Sequence, residues 1–211
     1  MKDIVVIGAG GHSKVVISAL RASGHEPVAV LDDDPTRKGS SILGVPIRGP
    51  LKLVEEIGGA GVIMAIGNNR TRKQIALELD AAWVTVIHPT AYVDPTARVG
   101  PGTVVFAGAI IQSDTVVGAH AIINTGASVD HDCIIGDFTH LAPGVRLAGD
   151  VRVGEGTLMG IGSVAIPGVR IGSWVTIGAG AAVIANIESD TVASGLPARP
   201  HVRNRAKGES C

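Results

Sequence analysis

Large rings are nearly absent from this chain. Two Phe, two Trp and one Tyr make up 2% of its 211 residues, set against 29 glycines. A core filled by bulky side chains is therefore excluded, and a narrower interior is expected. Cysteine is scarce too: Cys133 and Cys211 stand far apart with no C-x-x-C spacing, which excludes a disulfide framework and a thiolate metal site. Lys plus Arg total 18 against 19 Asp plus Glu, so no field exists to gather nucleic acid or an anionic membrane. A small molecule is the expected partner. No apolar run approaches the ~20 residues of a membrane span. Met1 leads directly into the strand-like Ile4–Ile7 without the basic segment, apolar stretch and cleavage site of a secretory leader, which sets the expectation of a cytoplasmic protein.

What is abundant is a period. Every sixth residue from Ile87 through Val93, Val99, Val105 and onward to Val183 is aliphatic or Met, with Ala165 the one exception and no break in register. Four residues after each comes a second lattice of small or β-branched residues, among them Ala91, Thr103, Thr115, Cys133 and Thr157. A period of two means an ordinary strand and one of 3.6 a helix; a strict six means short strand, corner, short strand, the repeat of a triangular coil. Both lattices face inward in such a coil. Glycines after the aliphatic positions, such as Gly100, Gly118, Gly136, Gly154, Gly160, Gly172 and Gly178, suit tight corners that exclude bulk.

The first 86 residues read as α/β. Strands are predicted at 4–7, 27–31, 61–66 and 84–86 and helices at 13–21, 51–57 and 69–79, a small parallel Rossmann-like domain. Gly8-Ala-Gly10-Gly11-His12-Ser13 sits where the first strand turns into the first helix, and its backbone N–H groups suit a phosphate. Ser13 replaces the third glycine of G-x-G-x-x-G, which weighs against a nicotinamide enzyme. Asp32 and Asp33 end the second strand, placed either to bond a ribose or base edge or to cap a loop; Asp34, before Pro35, reads as a cap. Gly67-Asn68-Asn69 ends another strand at the same edge, and Asn69 reads equally as a cap for the following helix. The division expected is 1–86 for the nucleotide-binding domain, 87–184 for the coil and 185–211 for a closing segment with a polar tail.

Taken together, Gly-x-Gly-Gly-His, the Asp pair, Ala-Ile-Gly-Asn-Asn-Arg and a following hexapeptide coil resemble the bacterial sialic-acid O-acetyltransferase and bacillosamine N-acetyltransferase family, over residues 4 to about 200. The resemblance implies a left-handed parallel β-helix of three hexads per coil and a homotrimer. It implies that acetyl-CoA is the co-substrate, that no metal is required, and that the N-terminal domain holds a nucleotide sugar through Gly10, Gly11, His12, Asp32, Asp33 and Gly67. In the segment from Asn124 to Gly136, His131 matches the proton acceptor and Asp132 the acid that raises its basicity. His140, Ile161 and Ala179 match acetyl-CoA contacts.

The chemistry accounts for those residue types. A sugar ammonium must lose a proton before it attacks a thioester, imidazole is a base suited to neutral pH, and a carboxylate partner stabilises imidazolium. His140 suits donation to the thioester oxygen. It lies half a coil beyond His131, on another side of the prism, so a site shared between subunits of a trimer is expected. The leading expectation is N-acetylation of the C4 amine of a UDP-linked 4-amino-4,6-dideoxy sugar. Alternatives are a GDP-perosamine N-acetyltransferase, a sialic-acid O-acetyltransferase, a zinc β-helix enzyme using His120, His131 and His140, and a non-catalytic nucleotide-sugar-binding scaffold.

Overall fold

The computed structural model describes residues 3–201. The expected polar tail from 202 onward, with Cys211, lies outside the described residues.

The chain opens with strand β1 (Ile4–Ile7), helix α1 (Gly11–Ala22), strand β2 (Pro27–Leu31), the short hairpin strands β3 (Ser41–Ile42) and β4 (Val45–Gly49), the single-turn helix α2 (Leu53–Glu56), strand β5 (Gly61–Met64), helix α3 (Asn69–Glu78) and strand β6 (Ala82–Trp83). Its sheet runs in the order β3-β4-β2-β1-β5-β6, parallel except where β3 meets β4. All four residues of β1, Ile-Val-Val-Ile, are buried, the continuous apolar run of a parallel strand covered on both faces. Gly8 has φ +99°, and a Cβ there would lie 2.8 Å from Ile66 Cγ1. Glycine is therefore required where β1 turns into α1.

Three sequence expectations need correction. The hairpin of β3 and β4 was not foreseen. The predicted helix at 51–57 is one turn, opened by Leu53 N–H to Pro50 O and Val54 N–H to Leu51 O, and Pro50 on one side and Gly58-Gly59 on the other give it no room to lengthen. The predicted strand at 84–86 belongs to two structures. Val84 N–H bonds Val62 O in the sheet while Val86 N–H bonds Thr103 O in the coil, so Thr85 is the crossing point.

From Val86 onward the chain winds into a parallel β-helix with three faces. The first face stacks Val86–Ile87, Val104–Val105, Ile122–Ile123, His140–Leu141, Leu158–Met159 and Thr176–Ile177, and Val192–Ser194 closes it. Tyr92–Val93 begins the second face and Arg98–Val99 the third. The expected register holds: Val105, Ile111, Ile123, Val129, Leu141 and Val183 are fully buried. Each such aliphatic side chain contributes roughly 1.5–3 kcal/mol of burial.

Buried threonines in the second lattice follow from hydrogen bonding between coils. Thr115 Oγ1 donates to Asp130 O at 2.8 Å and accepts from Cys133 N–H at 3.3 Å; Thr157 does the same with Gly172 O and Val175 N–H. Cys133 stands in the same lattice, its Sγ donating to Ala148 O at 3.2 Å. Burial pushes its thiol up to about 11, which makes it a packing residue rather than a nucleophile.

The α/β domain meets the first face of the coil through helix α1. Ile4, Val6, Ile17, Leu20 and Ile63 share one buried cluster with Val86, Val104, Phe106 and Ile122. Below that contact the first face is open, and the junction falls at His140.

Candidate active site

At the carboxyl edge of the sheet the backbone is bare. Gly10, Gly11 and Gly67 are exposed, and a Cβ on any of them would meet nothing within 4 Å. The Gly10 cap of α1 supplies no side-chain hydrogen bond, leaving first-turn N–H groups and the positive helix end for a ligand anion. Asp32 holds this loop in place by accepting from Ala9 N–H at 2.6 Å and Asp34 N–H at 2.9 Å, and Asp33 accepts from Leu51 N–H at 2.9 Å. Both carboxylates thus brace backbone at the rim. Asp34 caps the turn Pro35–Arg37 through Thr36 N–H, as expected. Arg37, which sequence reasoning passed over, crosses to the Ala9 carbonyl and brings a cation to the glycine loop.

The cap of α3 is Asn68, whose Oδ1 accepts from Thr71 N–H at 3.0 Å; Asn69, the residue expected to serve, instead donates to Gly156 O at 2.9 Å across to the coil. One turn into α3, Arg72 is 1% exposed. Its guanidinium donates to His120 O (2.8 Å), Phe138 O (2.7 Å), Ile66 O (3.0 Å), Gly67 O (3.3 Å) and Asn69 Oδ1 (2.9 Å). Burial without a carboxylate partner pulls it down to about 10. Arg72 therefore ties the Gly67 loop to the coil, and nothing in the sequence motif singled it out.

His12 and His140 meet at this junction, their ring centroids 6.3 Å apart, with Phe106 edge-on to His12 at 5.4 Å. Asn124 Oδ1 accepts from Thr125 N–H at 2.8 Å, so its Nδ2 is the group that faces His140 Nε2 at 3.0 Å. That contact makes Nε2 the acceptor and leaves the ring proton on Nδ1. Burial, helped by the charge on Arg72, lowers both histidines to about 4; they are neutral at pH 7. His120 is lowered to about 4 for the same reasons. It is stacked on Phe138 at 5.1 Å and edge-on to Trp83 at 4.8 Å.

Beneath Gly67 and Asn68 opens a cleft of about 280 Å³ that runs down the first face past Leu158 and Thr176. Its far wall is Trp174, with the Arg70 guanidinium 4.5 Å above the ring and 3.9 Å from Asp190.

His131 stands elsewhere, at the corner between the second and third faces. Its Nδ1 is 2.8 Å from Asp132 Oδ2. Asp132 reaches it by adopting φ +60°, a left-handed corner that Asp tolerates better than most residues. The hydrogen bond to Asp132, with the charges of Asp130, Asp132 and Asp150, raises the imidazole above its ordinary value. Both side chains are exposed.

Ile161 and Ala179 lie one above the other at the corner between the first and second faces, both exposed. One chain therefore assembles the edge glycines, His12 and His140 at the junction, and leaves His131 at a different corner. Tyr92 and Ile110 on the second face and Val116 and Ile134 on the third flank the His131 corner as exposed apolar side chains. Among the described residues no group of three or more His, Cys, Asp or Glu is arranged to hold a metal. No helix of the described residues is long and apolar enough to cross a membrane.

A Rossmann-like sheet seated on a hexapeptide coil, with an exposed His-Asp pair at one corner, defines a hexapeptide-repeat acyltransferase with a left-handed parallel β-helix. Comparison with known proteins makes this specific. Residues 3–79 match the PglD N-terminal domain. PerB from Caulobacter crescentus, solved in complex with CoA and GDP-perosamine, is 42% identical and superposes with a TM-score of 0.90 over 95% of this chain and 98% of that one. The acetyltransferase domain of PglB from Neisseria gonorrhoeae FA1090 is 39% identical, with a TM-score of 0.89 over 95% of this chain and 100% of that one. The UDP-N-acetylbacillosamine N-acetyltransferase of Bacillus subtilis (strain 168) is 41% identical over 113 residues, 51% of this chain, and that match spans 52% of the relative's length. The chain belongs to the sialic-acid O-acetyltransferase and bacillosamine N-acetyltransferase family.

Proposed function

We propose that the protein transfers the acetyl group of acetyl-CoA to the C4 amine of a nucleotide-linked 4-amino-4,6-dideoxy sugar, UDP-linked and of the bacillosamine type. The observation that carries this reading is the exposed His131-Asp132 pair on the same chain as a bare, glycine-lined nucleotide edge. Asp132 occupies Nδ1, so Nε2 takes the proton of the sugar ammonium. The freed amine attacks the thioester carbonyl, the C–S bond breaks, and the CoA thiolate receives a proton. General-base assistance of this kind supplies about 10²–10⁴-fold, and positioning on two rigid elements supports the remainder.

Segment 1–86 presents the sugar, with Gly10, Gly11, His12 and Gly67 in contact and Asp32 and Asp33 bracing the rim. The coil, 87–184, carries acetyl-CoA past His140, Ile161 and Ala179. For His140 to donate to the thioester oxygen from Nε2, its ring must give up Asn124 and carry its proton on Nε2 in place of Nδ1. Because His131 lies at another corner from these contacts, the working site is one built between neighbouring subunits of a homotrimer. The exposed aliphatic side chains beside His131 support that assembly. We place the reaction in the cytoplasm, where acetyl-CoA and nucleotide sugars are available, with residues 185–211 as the closing segment and tail.

A second reading, a GDP-linked 4-amino sugar, is favoured by the likeness to the Caulobacter protein, which extends over nearly the whole chain. Thiol release from acetyl-CoA with UDP- and GDP-linked 4-amino sugars tests both. Turnover with the UDP sugar supports the first reading, turnover with the GDP sugar alone the second, and turnover with neither overturns both.

A further inference from the structure

One register position of the coil's second-to-third corner is held in successive coils by Pro95, Ser113, His131, Gly149 and Pro167. After His131, Gly149 and Pro167 the next residue donates its N–H to the corner carbonyl one coil earlier: Asp132 to Ser113 O at 3.1 Å, Asp150 to His131 O at 3.0 Å and Gly168 to Gly149 O at 3.0 Å. The backbone at this position therefore accepts proline, serine and histidine without difficulty. Glycine at 149 is not demanded by its own conformation, since its φ lies outside the left-handed region.

Nor is it demanded by close backbone approach. At Gly136, Gly154 and Gly160 an added Cβ would strike the backbone of the following coil at 2.5–2.6 Å. At Gly149 the three nearest atoms all belong to one imidazole: His131 Cε1 at 2.6 Å, Nε2 at 2.7 Å and Nδ1 at 3.2 Å. Gly149 is buried although His131 is exposed. What covers this glycine is the ring.

We propose that Gly149 is a positioning residue for acetyl transfer, the seat on which the His131 ring rests so that Nδ1 meets Asp132 and Nε2 faces the acceptor amine. This rests on the reading of His131 as the base. Because the ring is exposed, a methyl group at 149 displaces it instead of unfolding the coil. The ring swings outward and loses Asp132.

The test is Gly149→Ala, with Pro167→Ala as the control at the same corner. Gly149→Ala is expected to keep CoA affinity and both KM values within a few-fold while kcat falls about 10²-fold, the loss associated with a misplacement of about 1 Å. Pro167→Ala is expected to match the unsubstituted protein. NMR titration of the histidines reads the seat without turnover: the His131 midpoint, above the ordinary value in the parent, is expected to fall towards it in Gly149→Ala. Parent-like kcat in Gly149→Ala, or an unmoved His131 midpoint, overturns the proposal. Should Gly149→Ala fail to fold, the same substitution in a His131→Ala background decides, since no ring remains to strike. Recovery of the fold supports the seat and failure in both overturns it. A parent protein with no acetyl transfer to any nucleotide-linked amino sugar instead removes the functional reading, while the titration still reports on the seat.

Discussion

The Nδ1 atom of His131 lies 2.8 Å from Asp132 Oδ2, a pair of adjacent residues closed by a left-handed aspartate. This contact fixes Nε2 as the basic nitrogen and raises the imidazole above its ordinary value. With His131 as the proposed base, a raised midpoint means that the protonated form, unable to accept a proton, persists to higher pH, so kcat/KM is expected to climb with pH through that midpoint. In Asp132→Asn the climb moves to lower pH, because the carboxylate no longer favours imidazolium, and the plateau drops by about 10-fold or more. A pH–rate profile of the two proteins checks both shifts.

Arg72 is expected to be the costliest single loss at the junction. Arg72→Ala leaves four carbonyls and Asn69 Oδ1 without their donor, and removing a buried charged partner costs about 3 kcal/mol or more. Urea unfolding is the measurement. The Gly67 loop also loses its tie, so KM for the nucleotide sugar rises while CoA binding to the coil stays near the parent value.

Stability is expected to fall as the solution is acidified from pH 6.5 towards 4. His12, His120 and His140 are neutral when folded and lowered to about 4, whereas the unfolded chain takes up protons near 6.5. Unfolding in that window therefore binds up to three additional protons, and stability is fully present above the window. His120→Phe, which retains the stack on Phe138, is expected to remove about one of those protons and flatten the dependence of the unfolding free energy on pH.

The bonds between coils are separately testable. Thr157→Val keeps shape but strands Val175 N–H and Gly172 O, at a cost of about 1–3 kcal/mol. Thr96→Val, exposed and bonded at the rim of the coil to Asp114 N–H, is expected to cost well under that by thermal melting, since water replaces the lost partner.

The coil was legible because its signal repeats: each inward aliphatic residue restates the period, and one substitution such as Ala165 cannot hide it. The hairpin at Ser41–Gly49 was not. Its turn is Leu43-Gly44 with φ of 50° and 83°, a mirror-type turn usually announced by Asn-Gly, and leucine gives no such notice. Val84-Thr85-Val86 reads as one strand because β-branched residues favour either sheet; only the partners, Val62 and Thr103, separate them. Among site residues, the pairing of His131 with Asp132 was readable because the two are adjacent. Arg72 and the Gly149 seat were not, because their partners lie on elements or coils far along the chain. Spacing within a motif carries no trace of such contacts.

The most direct test of the account is turnover of His131→Ala, followed by the thiol released from acetyl-CoA with a nucleotide-linked 4-amino sugar that the parent protein accepts. Loss of at least about 10²-fold in kcat, with CoA affinity and assembly state unchanged, is the predicted result. Turnover equal to the parent contradicts the assignment of His131 as the base.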